Sequence, residues 1–330
     1  MELYSIKVGN FMNNAKRVAE SLINEVEKII VGKRDKLELI LTASLSGGHV
    51  LLEDLPGCGK TTLVRTLALA LGCDEKRIQF TPDLLPSDVI GMTIYNQKES
   101  EFQTILGPVN TNLLLADEIN RAIPRTQAAL LEAMEERQVT IDGKTYKLPE
   151  PFLVMATQNP VEKESTFPLP AAQMDRFFIK LSLGYPTREE ELDMINGVGD
   201  VIHFERINAV TSPEELSQIK SEIQGVYVSD AIKKYIVELV HRTREDKALK
   251  TGASPRASRY LYQGGKTLAA IKGRDYVIPE DIQALLVPVL SHRIQLTGEA
   301  RYSGATNESV LSSVLSSVDV PPEKECVFER

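Results

Sequence analysis

The chain has 330 residues, with 38 Lys and Arg against 46 Asp and Glu, a formal net charge of −8 and a hydrophobic fraction of 42%. That composition excludes a disordered or fibrous chain and supplies apolar side chains for about two globular domains. No apolar run approaches the roughly 18 residues of a membrane span, and Met1-Glu2-Leu3-Tyr4-Ser5 lacks the basic-then-apolar order of a secretion signal, so the reading is a cytoplasmic protein. Cys58, Cys73 and Cys326 are odd in number, and His49, His203, His241 and His292 are scattered; neither set suggests a disulfide framework or a metal site.

Residues 12–45 read as helical. Ala19, Leu22, Ile23, Val26, Ile29 and Ile30 recur at three and four, Val31-Gly32-Lys33 interrupts them, and a second helix runs from about Asp35 to Leu45 before Gly47-Gly48. His49 to Glu53 is a strand. Leu63 to Leu71 form a helix that Gly72 closes. Arg77 to Phe80 is a short strand, Thr81 to Asp88 a loop with two prolines, and 92–106 a hairpin or insert turning at Lys98-Glu99-Ser100. The apolar run Asn112-Leu113-Leu114-Leu115-Ala116 fits a buried parallel strand that ends in Asp117-Glu118. A helix over 126–136 follows. Asp142-Gly143 between alternating β-branched residues predicts a hairpin over 138–148, with Val139, Ile141, Tyr146 and Leu148 on one face and Thr140 and Thr145 on the other. Pro151 to Asn159 and Arg176 to Leu183 are the remaining strands. A domain boundary is placed at 184, dividing 1–184 from 185–330. Beyond it, helices are expected over 187–196, 213–224, 229–243, 256–272, 279–292 and 307–318, with a frayed tail over 323–330.

Asp54-Leu55-Pro56-Gly57-Cys58-Gly59-Lys60-Thr61-Thr62 lies between strand and helix, the context a phosphate-binding loop requires. Gly57 and Gly59 let successive N–H groups point at an anion, and the helix start adds partial positive charge. Lys60 reaches β- and γ-phosphates, and the Thr61 hydroxyl suits Mg²⁺. The full pattern has glycine where this chain has Asp54; that position shapes the loop entrance while residues 57–61 supply most phosphate contacts, so binding is expected to survive, with affinity weakened if the carboxylate faces the phosphates. The paired carboxylates Asp117 and Glu118 stand at a strand's C-terminal end, where open α/β sheets bind ligands.

Further stretches carry a family resemblance. They are His49-Val50-Leu51-Leu52, Asp117-Glu118-Ile119-Asn120-Arg121-Ala122, Leu130-Leu131-Glu132-Ala133-Met134, Ala156-Thr157-Gln158-Asn159-Pro160, Gln173-Met174-Asp175-Arg176-Phe177 and Gly252-Ala253-Ser254-Pro255-Arg256-Ala257. In this order they resemble an AAA+ ATPase of the MoxR family, over roughly residues 28 to 320. The resemblance implies a P-loop NTPase α/β core with a five-stranded parallel sheet, an all-helical lid domain, and ring assembly, usually of six subunits. Hairpin 138–148 would precede the sensor strand, and 92–106 would be an insert within the second helix.

The resemblance also implies roles. Asp117, with Thr61, would hold Mg²⁺; Glu118 would orient and deprotonate the attacking water. Asn159 resembles the first sensor of the γ-phosphate. Arg176 resembles an arginine finger presented to a neighbour, and Arg256 the second sensor, in its own site or a neighbour's. Val31 and Gly32 resemble the adenine-side turn, and Arg121 is an interface candidate. Ser165 and Ala171 depart from the family's usual Gly and Glu.

The implied activity is hydrolysis of ATP to ADP and phosphate, coupled to chaperone-like remodelling, assembly or metal loading of partner proteins. Such partners often carry a von Willebrand factor A domain, which this chain does not encode. A chelatase-type motor subunit and a nucleotide-switched scaffold with little turnover are the alternatives. Between Ala231 and Arg274, eleven Lys and Arg stand against three Asp and Glu, a local +8 on an acidic chain. The acidic balance and sparse aromatic interleaving argue against nucleic acid as partner. Cys58, in a helix-N-terminal nest, is a candidate for a lowered thiol pKa and oxidative control.

Overall fold

The computed structural model describes residues 2–54, 57–159, 166–185, 187–189, 191–192 and 204–326. Its centre is a sheet of five parallel strands: β1 (Val50–Glu53), β2 (Glu75–Gln79), β5 (Leu113–Asp117), β8 (Leu153–Gln158) and β9 (Ile179–Leu181), in the order β2-β5-β8-β1-β9. Two hairpins stand apart from it, β3 (Gly91–Asn96) with β4 (Glu101–Leu106), and β6 (Gln138–Ile141) with β7 (Lys144–Lys147).

Alternation along the inner strands explains why the sheet is covered on both faces. Val50, Leu52, Leu113, Leu115, Leu153 and Met155 point into one apolar cluster, whereas Leu51, Leu114, Ala116, Val154 and Ala156 point into the other. The first cluster continues into helices Glu2–Glu27 and Arg34–Leu45 and into the helices of the C-terminal half. The second holds helix Pro124–Glu136 and the buried side of β6, with Val139, Ile141 and Leu148 inside and Thr140 and Thr145 exposed, as the alternation predicts.

Helices Pro213–Ile223, Asp230–Glu245, Pro255–Ile271, Pro279–Leu290 and Asn307–Ser317 build the lid. Several start at side-chain caps: Ser212 accepts from the Glu215 amide and Ser229 from the Ile232 amide. A short antiparallel ladder, Leu249–Thr251 with Gln295–Leu296, ties two of its loops together, a detail the helical periodicity did not carry.

Several boundaries differ from expectation. The first helix starts at Glu2 rather than near residue 12. Hairpin 91–106 follows helix Pro86–Ile90 and runs through Gly107 into a loop, so it ends that helix instead of interrupting it. The last strand is only Ile179–Leu181, because the turn over 173–177 closes with i→i+3 bonds and β1 offers just three partners. Cys326 is fully buried, so the tail is packed at least that far; 327–330, and residues 190 and 193–196 of the helix expected at 187–196, lie outside the described residues.

His49 locks two parts of this frame together. Its Nδ1 accepts from the Val154 amide at 3.0 Å, so Nε2 donates to the Met134 carbonyl at 3.1 Å. Burial, and then the nearby Arg137 guanidinium, push the imidazole pKa down to about 3 from 6.5. Below pH 6.5 the unfolded chain therefore takes up a proton that the folded chain refuses. Folding stability is fully present above that pH and falls toward pH 3, by up to about 1.4 kcal/mol per pH unit. His49→Gln should flatten the drop in thermal unfolding midpoint between pH 7 and 5; an unchanged drop would mean that His49 charges within the fold.

Candidate functional site

β1 runs into a loop whose Gly57 and Gly59 have φ of +86° and +71°, and Gly59 caps helix Lys60–Leu71. These left-handed turns are open to glycine at little cost, and a Cβ at either position would meet nothing within 4 Å. The backbone therefore faces open space at the N-terminus of a three-turn helix, an arrangement suited to an anion. Gly57, Cys58, Gly59, Lys60, Thr61 and Thr62 line one side of a cleft of about 450 Å³. Arg77, Gln79, Asp117, Glu118, Thr157 and Asn159 line the other.

Register explains that convergence. β2 pairs Gln79 with Asp117, and β8 runs alongside β5, so the C-terminal ends of three strands open on the same cleft. Asp117 accepts from Thr157 Oγ1 at 2.6 Å and from Arg77 Nη2 at 2.7 Å. Glu118 accepts from Gln79 Nε2 at 2.8 Å and from Arg121 Nη1 at 2.9 Å, while its amide donates to Thr157 Oγ1. Its φ of +56° is a left-handed conformation rare for glutamate, of the kind that collects at functional sites. Gln79, Arg77 and Thr157 escaped the sequence reading. The strand-end rule that singled out Asp117 applies equally to Gln79 and was not extended to it. An all-oxygen set from Thr61 and Asp117 beside Lys60 fits a hard divalent cation held with a polyphosphate.

Arg176 and Arg256 are not in this cleft. They line a second cavity of about 330 Å³ with Ser46, His49, Glu135 and Arg259, beside the N-terminal end of β1. Arg176 Nε lies 2.9 Å from Glu135 Oε2, and Arg256 Nη2 lies 2.7 Å from Glu135 Oε1. Val31 and Gly32 also stay outside the cleft lining, in the turn between the first two helices. The next residue, Lys33, donates to the Tyr185 carbonyl at 3.3 Å.

Asp54 does not face the phosphate side. It is buried, and its carboxylate accepts from Ser182 Oγ at 2.7 Å, the Leu183 amide at 2.9 Å and the Gly184 amide at 3.0 Å. It ties the start of the loop to the segment leaving β9. The lowering for which Cys58 was a candidate is not found: burial, then the Asp54 charge, push its thiol pKa up, against smaller opposite effects of Lys60 and Lys33. Much of the basic stretch is spent internally. Arg274 forms a two-pronged pair with the buried Asp281, and Lys266 donates to the Gln224 carbonyl.

Asp54→Ala leaves two amides without their acceptor, at about 1–3 kcal/mol each. Thermal unfolding should show that loss, whereas nucleotide titration should show affinity changed less than about threefold, a free-energy difference well under 1 kcal/mol. A large affinity gain would mean that the carboxylate opposes phosphate after all. Cys58 should react with a thiol reagent at pH 7 no faster than an ordinary free cysteine.

Comparison with known proteins gives the same frame. The model described as "ATPase family associated with various cellular activities (AAA)" matches residues 49–179, and that described as "AAA lid domain" matches 241–314. The uncharacterized protein YeaC of Bacillus subtilis is 50% identical over 92% of this chain and 95% of its own. Chaperone MoxR1 of Mycobacterium tuberculosis is 45% identical over 92% of this chain and 82% of its own. A crystal structure of a candidate ATPase from Cytophaga hutchinsonii has a TM-score of 0.90 at 41% identity, covering 98% of this chain and 100% of that one. Identity at this level to a MoxR protein, sustained through both the sheet and the lid, assigns the chain to the MoxR family of AAA+ ATPases.

Proposed function

We propose that this protein hydrolyses Mg²⁺-ATP in a ring, with each site completed by arginines of the adjacent subunit. The observation that carries the reading is the separation of the two cavities. The loop and the acidic pair sit at one end of β1, and Arg176 and Arg256 at the other. The four residues of β1 alone span about 13 Å. That separation supports the reading in which a subunit's own arginines serve a neighbour's phosphates rather than its own, in a ring of six.

Within one subunit, Gly57 to Thr62 bind the phosphates, with Lys60 countering their charge. Thr61 and Asp117 hold Mg²⁺, which when bound neutralises charge developing on the phosphate oxygens. Glu118 orients the attacking water and accepts its proton; for that its carboxylate must let go of Gln79 and Arg121. Asn159, buried at the end of β8, donates to the γ-phosphate or its water. Arg176 and Arg256 stabilise transition-state charge in the neighbouring site. Residues 1–184 form the nucleotide domain and 185–330 the lid, and motion of the lid and of hairpin 138–148 is the output. That motion remodels, assembles or metal-loads a separate client, such as a von Willebrand factor A domain protein, in the cytoplasm. The Val31-Gly32 turn flanks the base.

Turnover per subunit should climb with protein concentration. Arg176→Ala should cost about 10³-fold or more, as arginine fingers supplied in trans do, with nucleotide affinity retained. Glu118→Gln should bind ATP and not turn it over. Constant specific activity across dilution would show a self-sufficient site and overturn the shared-site reading.

A further inference from the structure

Glu135 is a residue to which neither the motifs nor the reaction assign a part. It occupies the last turn of helix Pro124–Glu136, one residue after Met134, whose carbonyl His49 holds from the interior. Its carboxylate is about 37% exposed and divides its two oxygens between two arginines from different parts of the fold. One is Arg176, just before β9; the other is Arg256, in the first turn of lid helix Pro255–Ile271.

The manner of the Arg176 contact matters. Glu135 takes the Nε edge, and no other ion pair to that guanidinium is seen among the described residues. The terminal Nη edge, which suits two-pronged contact with a phosphate, takes no ion pair among the described residues. Asp175 is no substitute for Glu135. It already accepts from the buried Arg293 at 2.8 Å and from Ser254 at 3.0 Å, and stands 3.9 Å from Arg256.

We infer that Glu135 is a positioning residue: one carboxylate, fixed on a rigid helix end, sets Arg176 and Arg256 in register as a single unit for the neighbouring nucleotide. The inference rests on the trans reading proposed above. Loss of the carboxylate leaves both arginines with their charge and a wider range of rotamers, so the transition state suffers while the subunit's own nucleotide binding does not. A misplacement of about 1 Å costs up to 10²-fold in rate.

The test is turnover in mixed assemblies. Glu135→Gln alone should lose about 10–100-fold in kcat, with KM, oligomer size and thermal midpoint close to the parent. Glu135→Asp, which keeps the charge but withdraws it, should lose less. Mixed with Glu118→Gln subunits, whose arginines are intact but whose own sites are dead, Glu135→Gln should regain activity above either variant alone. Arg176→Ala mixed in the same way is the reference. Rescue of both supports the inference. Rescue of Arg176→Ala without rescue of Glu135→Gln, undiminished kcat in Glu135→Gln, or failure of that variant to assemble overturns it and leaves the trans reading standing. Failure to rescue Arg176→Ala overturns both.

Discussion

A parallel sheet buried on both faces has only its two rims on which to display polar chemistry. β1 lies between β8 and β9 with Val50, Leu51 and Leu52 fully buried, so nothing reactive can project from its middle. The phosphate loop leaves from one end of the strand, and His49 and the arginine cavity lie at the other. The two halves of the proposed site are held apart by the same apolar strand that makes the fold stable. On the shared-site reading proposed above, assembly is the means of bringing them together, and the chemistry of one subunit's two ends becomes the chemistry of an interface.

Electrostatics follows the same division. At the C-terminal rim every carboxylate of the cleft is engaged by a neighbour: Asp117 by Arg77 and Thr157, Glu118 by Gln79 and Arg121. That network sits beside a loop built to receive an anion, and the partners of Glu118 are long, half-exposed side chains that can swing away. At the other rim, arginine outnumbers acid, with Glu135 bridging two guanidinium groups. Both rims therefore suit an anion, and in the proposed ring, where the contacts are head-to-tail and heterologous, a bound polyphosphate lies between them.

What was legible in the residues was local. The glycine spacing around Lys60, the apolar run ending in Asp117-Glu118, and Asp142-Gly143 between alternating residues each carry their meaning within a dozen positions, and the fold follows them. What was not legible was long-range pairing. Where the Asp54 carboxylate turns was not legible, because its donors, Ser182 to Gly184, lie about 130 positions away and draw it inward. At Cys58 the nest argument is local, whereas the burial that raises the thiol pKa comes from the packed fold, with the charge of nearby Asp54 adding to it. Gln79 and Arg77 gain their significance only from the register that sets β2 beside β5.

Arg293 gives the lid a mechanical hold on the other rim. Its buried guanidinium donates to the Asp175 carboxylate and to the carbonyls of Asp175, Phe177 and Phe178, gripping the chain on both sides of Arg176, and it also reaches the carbonyl of Val289 in a lid helix. Tyr260, from another lid helix, donates to the Arg176 carbonyl and lies against the same guanidinium. A desolvated charge with so many acceptors is costly to pull free. These contacts couple the backbone around Arg176 to the lid, so in the ring proposed above a tilt of the lid is a lever whose short arm ends at the neighbour's phosphate.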